Sequence, residues 1–568
     1  MRKLERNTVI LSSREYDLII VGGGIFGVCA AWDAALRGLS VALIDKGDFA
    51  NATSSNHFKM VHGGIRYLQH GDIARIRESS RERSALLRIA PHLVKPLPIV
   101  IPTYGHGVKG KAFLGCGLLL YDLLTLGRNR GIQKDRMIPR GQFISRKEVL
   151  DLFPGLEKKG LTGGAIFCDG QVYNPPRLAI SFLRSAVHEG TDAANYVEAR
   201  GFLREKDRIV GINARDLLTG DDFDIRGKWV LNTAGPWAHR LLESGLGLEL
   251  HPRPTFSRDL AFVVGSRINH GYALAFSTQA KDADSIVDIG GRRLFAVPWR
   301  NYTLIGVWHR VFEGVPETIY VTEAELKEII HEVNTAYPGL QITFDDIRMI
   351  NMGLTLFGSE DHQANNNMSF GKRSIFINHR KEHGIDGITT LIGVRATNAR
   401  GMAEKAINII LDSLGKRKAK SKTEYTPIYG GNITCLEDLI KKATQKSAPE
   451  ISPNITNALI RNYGSRYEEI LKYIDENSHW AKVLRNSTTL EAEVIHAVRE
   501  EMAQKLTDVV FRRTDLCSGG SCENEVLQRC AQLAAGELGW DDRRLQQEIE
   551  EVNQVYPQFL RKKMETGK

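Results

Sequence analysis

Long apolar runs are missing from this chain. None reaches the ~18 residues that a membrane-spanning helix requires. Cysteine is scarce: seven residues in 568, odd in number and scattered. That excludes a disulfide-framework fold and fits a reducing compartment. The first residues, "MRKLERNTVILSSREYD", carry basic groups but no apolar core or small-residue cleavage site, so no export signal is read there. No nucleic-acid motif and no interleaved aromatic/basic stripe occurs. No His/Cys group has convincing metal-ligand spacing. Cys517 and Cys522, in "LCSGGSC", are expected to lie in a plain loop, and Cys29 to be packing within a helix.

What remains is a chain with a real core. Apolar residues make up 42% and charged residues 25%, with a formal net charge of +9. The positive balance favours an anionic small molecule or an anionic surface. "YDLIIVGGG" is a short apolar run closed by glycines, the pattern of a buried parallel strand. "IFGVCAAWDAALRG" reads as a helix and "SVALID" as a second buried strand, giving a βαβ unit. Gly22, Gly24 and Gly27 form G-x-G-x-x-G at the strand-to-helix turn. Such glycines allow the turn, the approach of a pyrophosphate and close helix packing. Asp45 follows Gly22 by 23 residues (45 − 22), where a carboxylate would accept from ribose hydroxyls. A single lysine after Asp45 favours FAD or NAD over NADP.

Further along, "ARIRESSRERSALLRIAPHLV" predicts a helix stopped before Pro91. "AFLGCGLLLYDLLTLG", residues 112–127, is apolar with basic flanks and too short to span a bilayer. It predicts a buried helix, with a segment lying on a membrane surface as the alternative. Residues 250 to 355 are strand-rich, interrupted by the helix "EAELKEIIHEVNTAY". "GKRKAKSKTEYTPIYGG" is basic and turn-rich and reads as a linker. Helical periodicity fills the rest.

The segment "SSNHFKMVHGGIRYLQ" decides between the two dinucleotides. It resembles the FAD-contacting stretch of the FAD-dependent glycerol-3-phosphate dehydrogenases, within the D-amino-acid-oxidase-like superfamily. The matching residues are Ser54, Ser55, Lys59, His62, Gly63, Gly64, Arg66 and Tyr67. "NYVEA" (with Val197), "VLNTAGPWA" (with Ala234 and Gly235) and "LIGVRATNARGMAEKA" (with Gly393) resemble later flavin-binding stretches. "VFRRTDL" and "CAQLAAGELGWDDRRLQQEI" resemble the family's tail.

The resemblance implies an α/β fold: a glutathione-reductase-type, Rossmann-like FAD domain over 1–250 and 356–415, with parts of the substrate domain interleaved. An antiparallel β substrate cap covers 251–355, a linker 416–432 and a C-terminal helical domain 433–568. It implies oxidation of glycerol 3-phosphate to dihydroxyacetone phosphate by hydride transfer to flavin N5, with electrons passed to quinone and oxygen left open as the other acceptor. Arg66, Tyr67 and Arg395 are the implied catalytic residues. Arg66, Lys372, Arg395, Thr397 and Arg400 are the implied substrate contacts. Peripheral attachment to the cytoplasmic membrane face is also implied; a homodimer stays open.

The pattern is not followed everywhere. The family's Lys-Gly-x-His is absent from "TFSRDLAFVV", with Ala261 in the place of the His. Its Gly-Thr-Thr-Asp is "GVWH", which makes His309 a candidate relocated base. Its Gly-Val-Arg-Pro is "GLTL", residues 353–356, so one anchoring arginine is gone. These departures leave a different small hydroxy or amino substrate as an alternative. A purely structural flavin in a scaffold protein is a third.

Overall fold

The computed structural model describes residues 2–105, 110–278, 293–357, 374–416 and 419–561. Its central sheet has, among the described residues, the order Ile375–Asn378, Ile388–Ile392, Val230–Asn232, Leu18–Val21, Val41–Ile44, Asp192–Ala194. All neighbours run parallel except the first pair. Leu18–Val21 and Val41–Ile44 are buried at every position, so they carry unbroken apolar runs instead of alternation. Helices Ile25–Leu36, Pro175–His188 and Ala399–Ser413 share one apolar core with this sheet.

A second, larger sheet roofs it. Its order is Ile347–Phe357, Thr255–Gly265, Tyr302–Phe312, Arg293–Trp299, Ala273–Ser277, Val94–Tyr104, Leu161–Val172, Met60–Val61. Pairing is antiparallel except between Ala273–Ser277 and Val94–Tyr104. The roof therefore extends well beyond 251–355. Strands from the first 172 residues complete it, because Val94–Tyr104 and Leu161–Val172 pair along their whole length.

Helices from Leu436–Lys446 to Asp542–Gln554 form the C-terminal part. The stretch before them differs from a solvated linker. Lys416 reaches Asp17 at 2.7 Å, and Glu424 accepts from Arg81 at 3.0 Å. Ile428 is buried, and the Tyr429 hydroxyl donates to Glu469 at 2.5 Å. Turn-rich composition marked the irregular path; the side chains make it a strap.

Two other expectations are corrected. Cys517 and Cys522 are joined by a disulfide instead of lying unpaired in a loop. The helix Lys111–Leu124 is not buried. Leu118 and Tyr121 face inward, while Leu119, Leu123 and Leu126 are 67%, 63% and 77% exposed.

Candidate active site

A cavity of about 1470 Å³ runs between the central sheet and the roof. One end is lined by Gly22, Gly24, Asp45, Asn51, Ser54, Val197, Ala234 and Gly235. Gly22 has φ +104°, the left-handed region, and a Cβ there would lie 2.6 Å from the Thr233 carbonyl oxygen. Gly27 lies under the turn, where a Cβ would lie 1.9 Å from the Gly22 carbonyl oxygen. Ser54 does not merely line the wall. Its hydroxyl accepts from the Ile25 N–H at 2.9 Å, capping the helix that Gly24 cannot cap. Ser55 turns away to the Ala50 carbonyl.

Asp45 accepts from the Gly23 N–H at 2.7 Å and the Gly47 N–H at 2.8 Å. Burial pushes its carboxyl up to about 6, although both N–H groups pull it down. Val197 is fully buried, and its N–H donates to the Asp45 carbonyl at 2.8 Å.

The loop after Asp45 is held from the far end of the chain. Arg513 donates to both oxygens of Asp48, at 2.7 and 2.8 Å. Arg512 donates to Asp48 at 2.5 Å, to Asn51 at 3.0 Å and to Asp508 at 2.5 Å. Burial alone would raise Asp48; the charges of Arg513 and Arg512 hold it down to about 2. In the sequence "VFRRTDL" resembles only the family's tail, and nothing local ties it to this loop.

His62, Gly64, Arg66, Tyr67, Gly393, Arg395 and Thr397 line the cavity further along, together with Asp259 and His309 from the roof. Thr397 Oγ1 accepts from the His62 N–H at 3.3 Å, joining two segments 335 positions apart. His62 Nδ1 meets Asp169 at 3.1 Å. Burial favours protonation of Asp169, yet His62, Arg83 and the Gly63 N–H hold it below the usual carboxylate range. Gly64 has φ +88° and faces the cavity. Gly63 answers to a different demand: a Cβ there would meet Arg83 at 2.1 Å and the Tyr121 hydroxyl at 2.3 Å. It makes room for that buried cluster, not for a flat ring. In the roof, His309 Nδ1 lies 2.7 Å from Asp259 Oδ1, across paired strands, and Ser257 donates to the same oxygen at 2.7 Å.

Like Gly27, Ser55 and Gly63, the predicted residues Arg400 and Lys59 are not in the cavity wall. Arg400 is buried, and its guanidinium forks onto Glu82 at 2.6 and 2.8 Å with further bonds to Glu404 and Thr423. It ties the last helix of the dinucleotide fold to Ile73–Ile89 and to the strap, which corrects its assignment as a substrate contact. Lys59 is buried, with its ammonium 3.3 Å from Asn351 Oδ1 and 4.7 Å from the Trp299 ring centroid. Burial, then the charge of Arg300, lowers it to about 7. Lys372 lies outside the described residues.

Residues 17–390 match the family described as FAD dependent oxidoreductase. The chain belongs to that family. Residues 421–545 of this oxidoreductase match a second description, the C-terminal domain of alpha-glycerophosphate oxidase. A glycerol-3-phosphate dehydrogenase of Synechocystis sp. is 29% identical over 565 residues, covering 97% of this chain and 98% of its own. The aerobic glycerol-3-phosphate dehydrogenase of Bacillus subtilis is 29% identical over 528 residues, covering 90% and 89%. The fold matches the glycerol-3-phosphate dehydrogenase of Bacillus halodurans, solved with FAD, at a TM-score of 0.74 with 22% identity over 98% of this chain and 96% of that one.

The cradle in this oxidoreductase fits FAD on its own geometry. The glycine turn clears the backbone for a pyrophosphate. The half-buried carboxylate of Asp45 stands at the strand end, facing the cavity. The cavity is long enough to continue past Gly64 and Gly393 to the arginines.

Proposed function

We propose that this FAD enzyme oxidises glycerol 3-phosphate to dihydroxyacetone phosphate. The observation that carries the reading is one continuous cavity with a dinucleotide cradle at one end and Arg66, Tyr67 and Arg395 at the other. The names of the full-length relatives support the substrate. When bound, FAD would supply the hydride acceptor, with a quinone as the onward electron acceptor. Gly22, Gly24, Asp45 and Val197 would hold its nucleotide end, and Gly64, Gly393 and Thr397 would serve its ring end. Arg66 and Arg395 orient the anionic substrate by charge-assisted hydrogen bonds. His309 takes the hydroxyl proton at Nε2. Asp259, accepting from Nδ1–H, fixes that tautomer and steadies the imidazolium formed.

The FAD-loaded protein, kept without oxygen, is expected to lose its absorbance near about 450 nm on addition of glycerol 3-phosphate. Bleaching only by other hydroxy or amino compounds would sink the proposal. That second reading is favoured by Ala261 and by the uncharged "GLTL", both departures from the family pattern.

The inner side of Lys111–Leu124 lines the cavity through Leu114, Gly117 and Leu118. Its outer side is apolar, and Arg130, Lys134 and Arg140 are exposed nearby. This face lies on an anionic membrane surface, within reach of an apolar acceptor. No helix among the described residues is long and apolar enough to cross a membrane. Leu119→Asp with Leu123→Asp is expected to abolish sedimentation with vesicles containing anionic lipid. Unchanged sedimentation would refute the contact.

A further inference from the structure

The cavity end around Tyr67 holds a cation that the family resemblance does not place there. Arg75, in the first turn of Ile73–Ile89, lines the cavity with Arg66 and Arg395. The guanidinium carbon of Arg395 lies 4.7 Å from the Tyr67 ring centroid, and that of Arg75 lies 5.4 Å from the same centroid. Arg395 is pulled below the usual arginine value, first by burial and also by the charges of Arg75 and Arg66. Two carboxylates stand near these three guanidiniums. Asp72 pairs with Arg75 Nε at 3.0 Å, and Glu78 is engaged by Lys405 at 2.6 Å and by Asn398 at 3.2 Å. Like charges gathered at a partly buried wall repel, and a bound anion relieves that repulsion.

The roof shows why the extra cation matters. Thr355 lines the cavity where the family pattern puts its arginine in Gly-Val-Arg-Pro. The neighbouring Gly353 is closed to any side chain, since a Cβ there would lie 2.9 Å from Thr53. The roof lacks that charge, and the wall below it carries Arg75.

We infer that Arg75 replaces the lost anchor: with Arg66 and Arg395 it forms a three-arginine subsite around Tyr67 that selects a doubly charged phosphate ester over a carboxylate. The inference rests on reading this cavity end as the substrate site. Guanidinium forks match phosphate oxygens, and a dianion answers more of the wall's charge than a monoanion does.

The test uses the full chain, with inorganic phosphate and acetate as probes. Binding is followed by the flavin difference spectrum of the FAD-loaded protein and by the thermal shift of FAD-free protein. The unmodified protein is expected to bind phosphate at least about tenfold more tightly than acetate. Arg75→Gln should weaken phosphate by about 10- to 100-fold and leave acetate nearly unchanged. It should raise KM for glycerol 3-phosphate with little change in kcat. Arg75→Lys should recover part of the loss. Asp72→Ser keeps a capping hydroxyl while removing the acid, so it should tighten phosphate binding, a gain that misfolding does not imitate.

Equal binding of phosphate and acetate, or unchanged phosphate affinity in Arg75→Gln, would overturn the inference. So would unchanged affinity in Asp72→Ser. If glycerol 3-phosphate fails to bleach the flavin while phosphate binding still depends on Arg75, the substrate reading fails and the subsite stands.

Discussion

The two ends of the cavity are built by different means. The nucleotide end is mostly backbone. Gly22, Gly24 and Gly27 come from one short turn, and Ser54 caps the helix that follows it. The other end, the proposed substrate end, is side chains from several elements: Arg66 and Arg75 beside Tyr67, Asp259 and His309 in the roof, Arg395 beyond the last central strand. Backbone space tolerates almost no change, because a new Cβ meets atoms that cannot move. Side-chain charge can migrate from one element to another and still face the same ligand. The first end therefore keeps its sequence signature, and the second keeps only its chemistry.

Substitutions at each end should separate these two modes. The largest effect is expected from Gly27→Val, whose Cβ would lie 1.9 Å from the Gly22 carbonyl oxygen. The protein should purify colourless and fail to take up added FAD, read by absorbance after gel filtration. A yellow protein would show that the turn can move. Next, Arg395→Gln should keep FAD but lower kcat/KM by about 10²- to 10³-fold, losing one charge-assisted contact in a desolvated site. Equal FAD occupancy in the variant and the parent is the control that assigns the loss to the substrate end.

A third variant asks whether the nucleotide end is purely local. Asp48→Asn leaves Arg512 and Arg513 facing a neutral amide and should weaken FAD by about 10- to 100-fold, with KM unchanged at saturating FAD. Fluorescence titration of FAD-free protein measures it. Asp45 offers the smallest and most diagnostic effect. Its folded value of about 6 lies above the ordinary 3.8, so the FAD-free folded state binds the extra proton between those values. Stability without FAD should fall slightly as pH rises through that window. FAD affinity should rise several-fold over about the same window, because ribose hydroxyls need an ionised acceptor. Asp45→Asn should flatten both curves, read by melting temperature and by titration.

The same contrast explains what was legible in the sequence. The strand, turn and helix around Gly22, and Asp45 after them, follow from local spacing. Arg66 and Tyr67 were readable because they sit two and three residues beyond the glycine pair. Asp259 and Arg75 were not. Each is an ordinary charged residue until the fold aims it: Asp259 through pairing with the strand that carries His309, and Arg75 through a helix start that turns it back onto Tyr67. Arg400 shows the reverse error. Its match to the family pattern was real, but Glu82 takes its guanidinium. The strap after Lys416 was misjudged as a linker because basic, turn-rich composition reports the absence of periodicity, not the absence of partners.

The grip of Arg513 on Asp48 bears on when the enzyme can mature. The two residues are 465 positions apart, so at roughly 5–20 residues per second the ribosome needs about 25–90 s to make the second after the first. During that interval the emerging nucleotide fold lacks the clasp on its loop. Firm cofactor binding is therefore expected only near the end of translation, and a chain cut short of Arg512 and Arg513 is expected to hold its pigment less tightly.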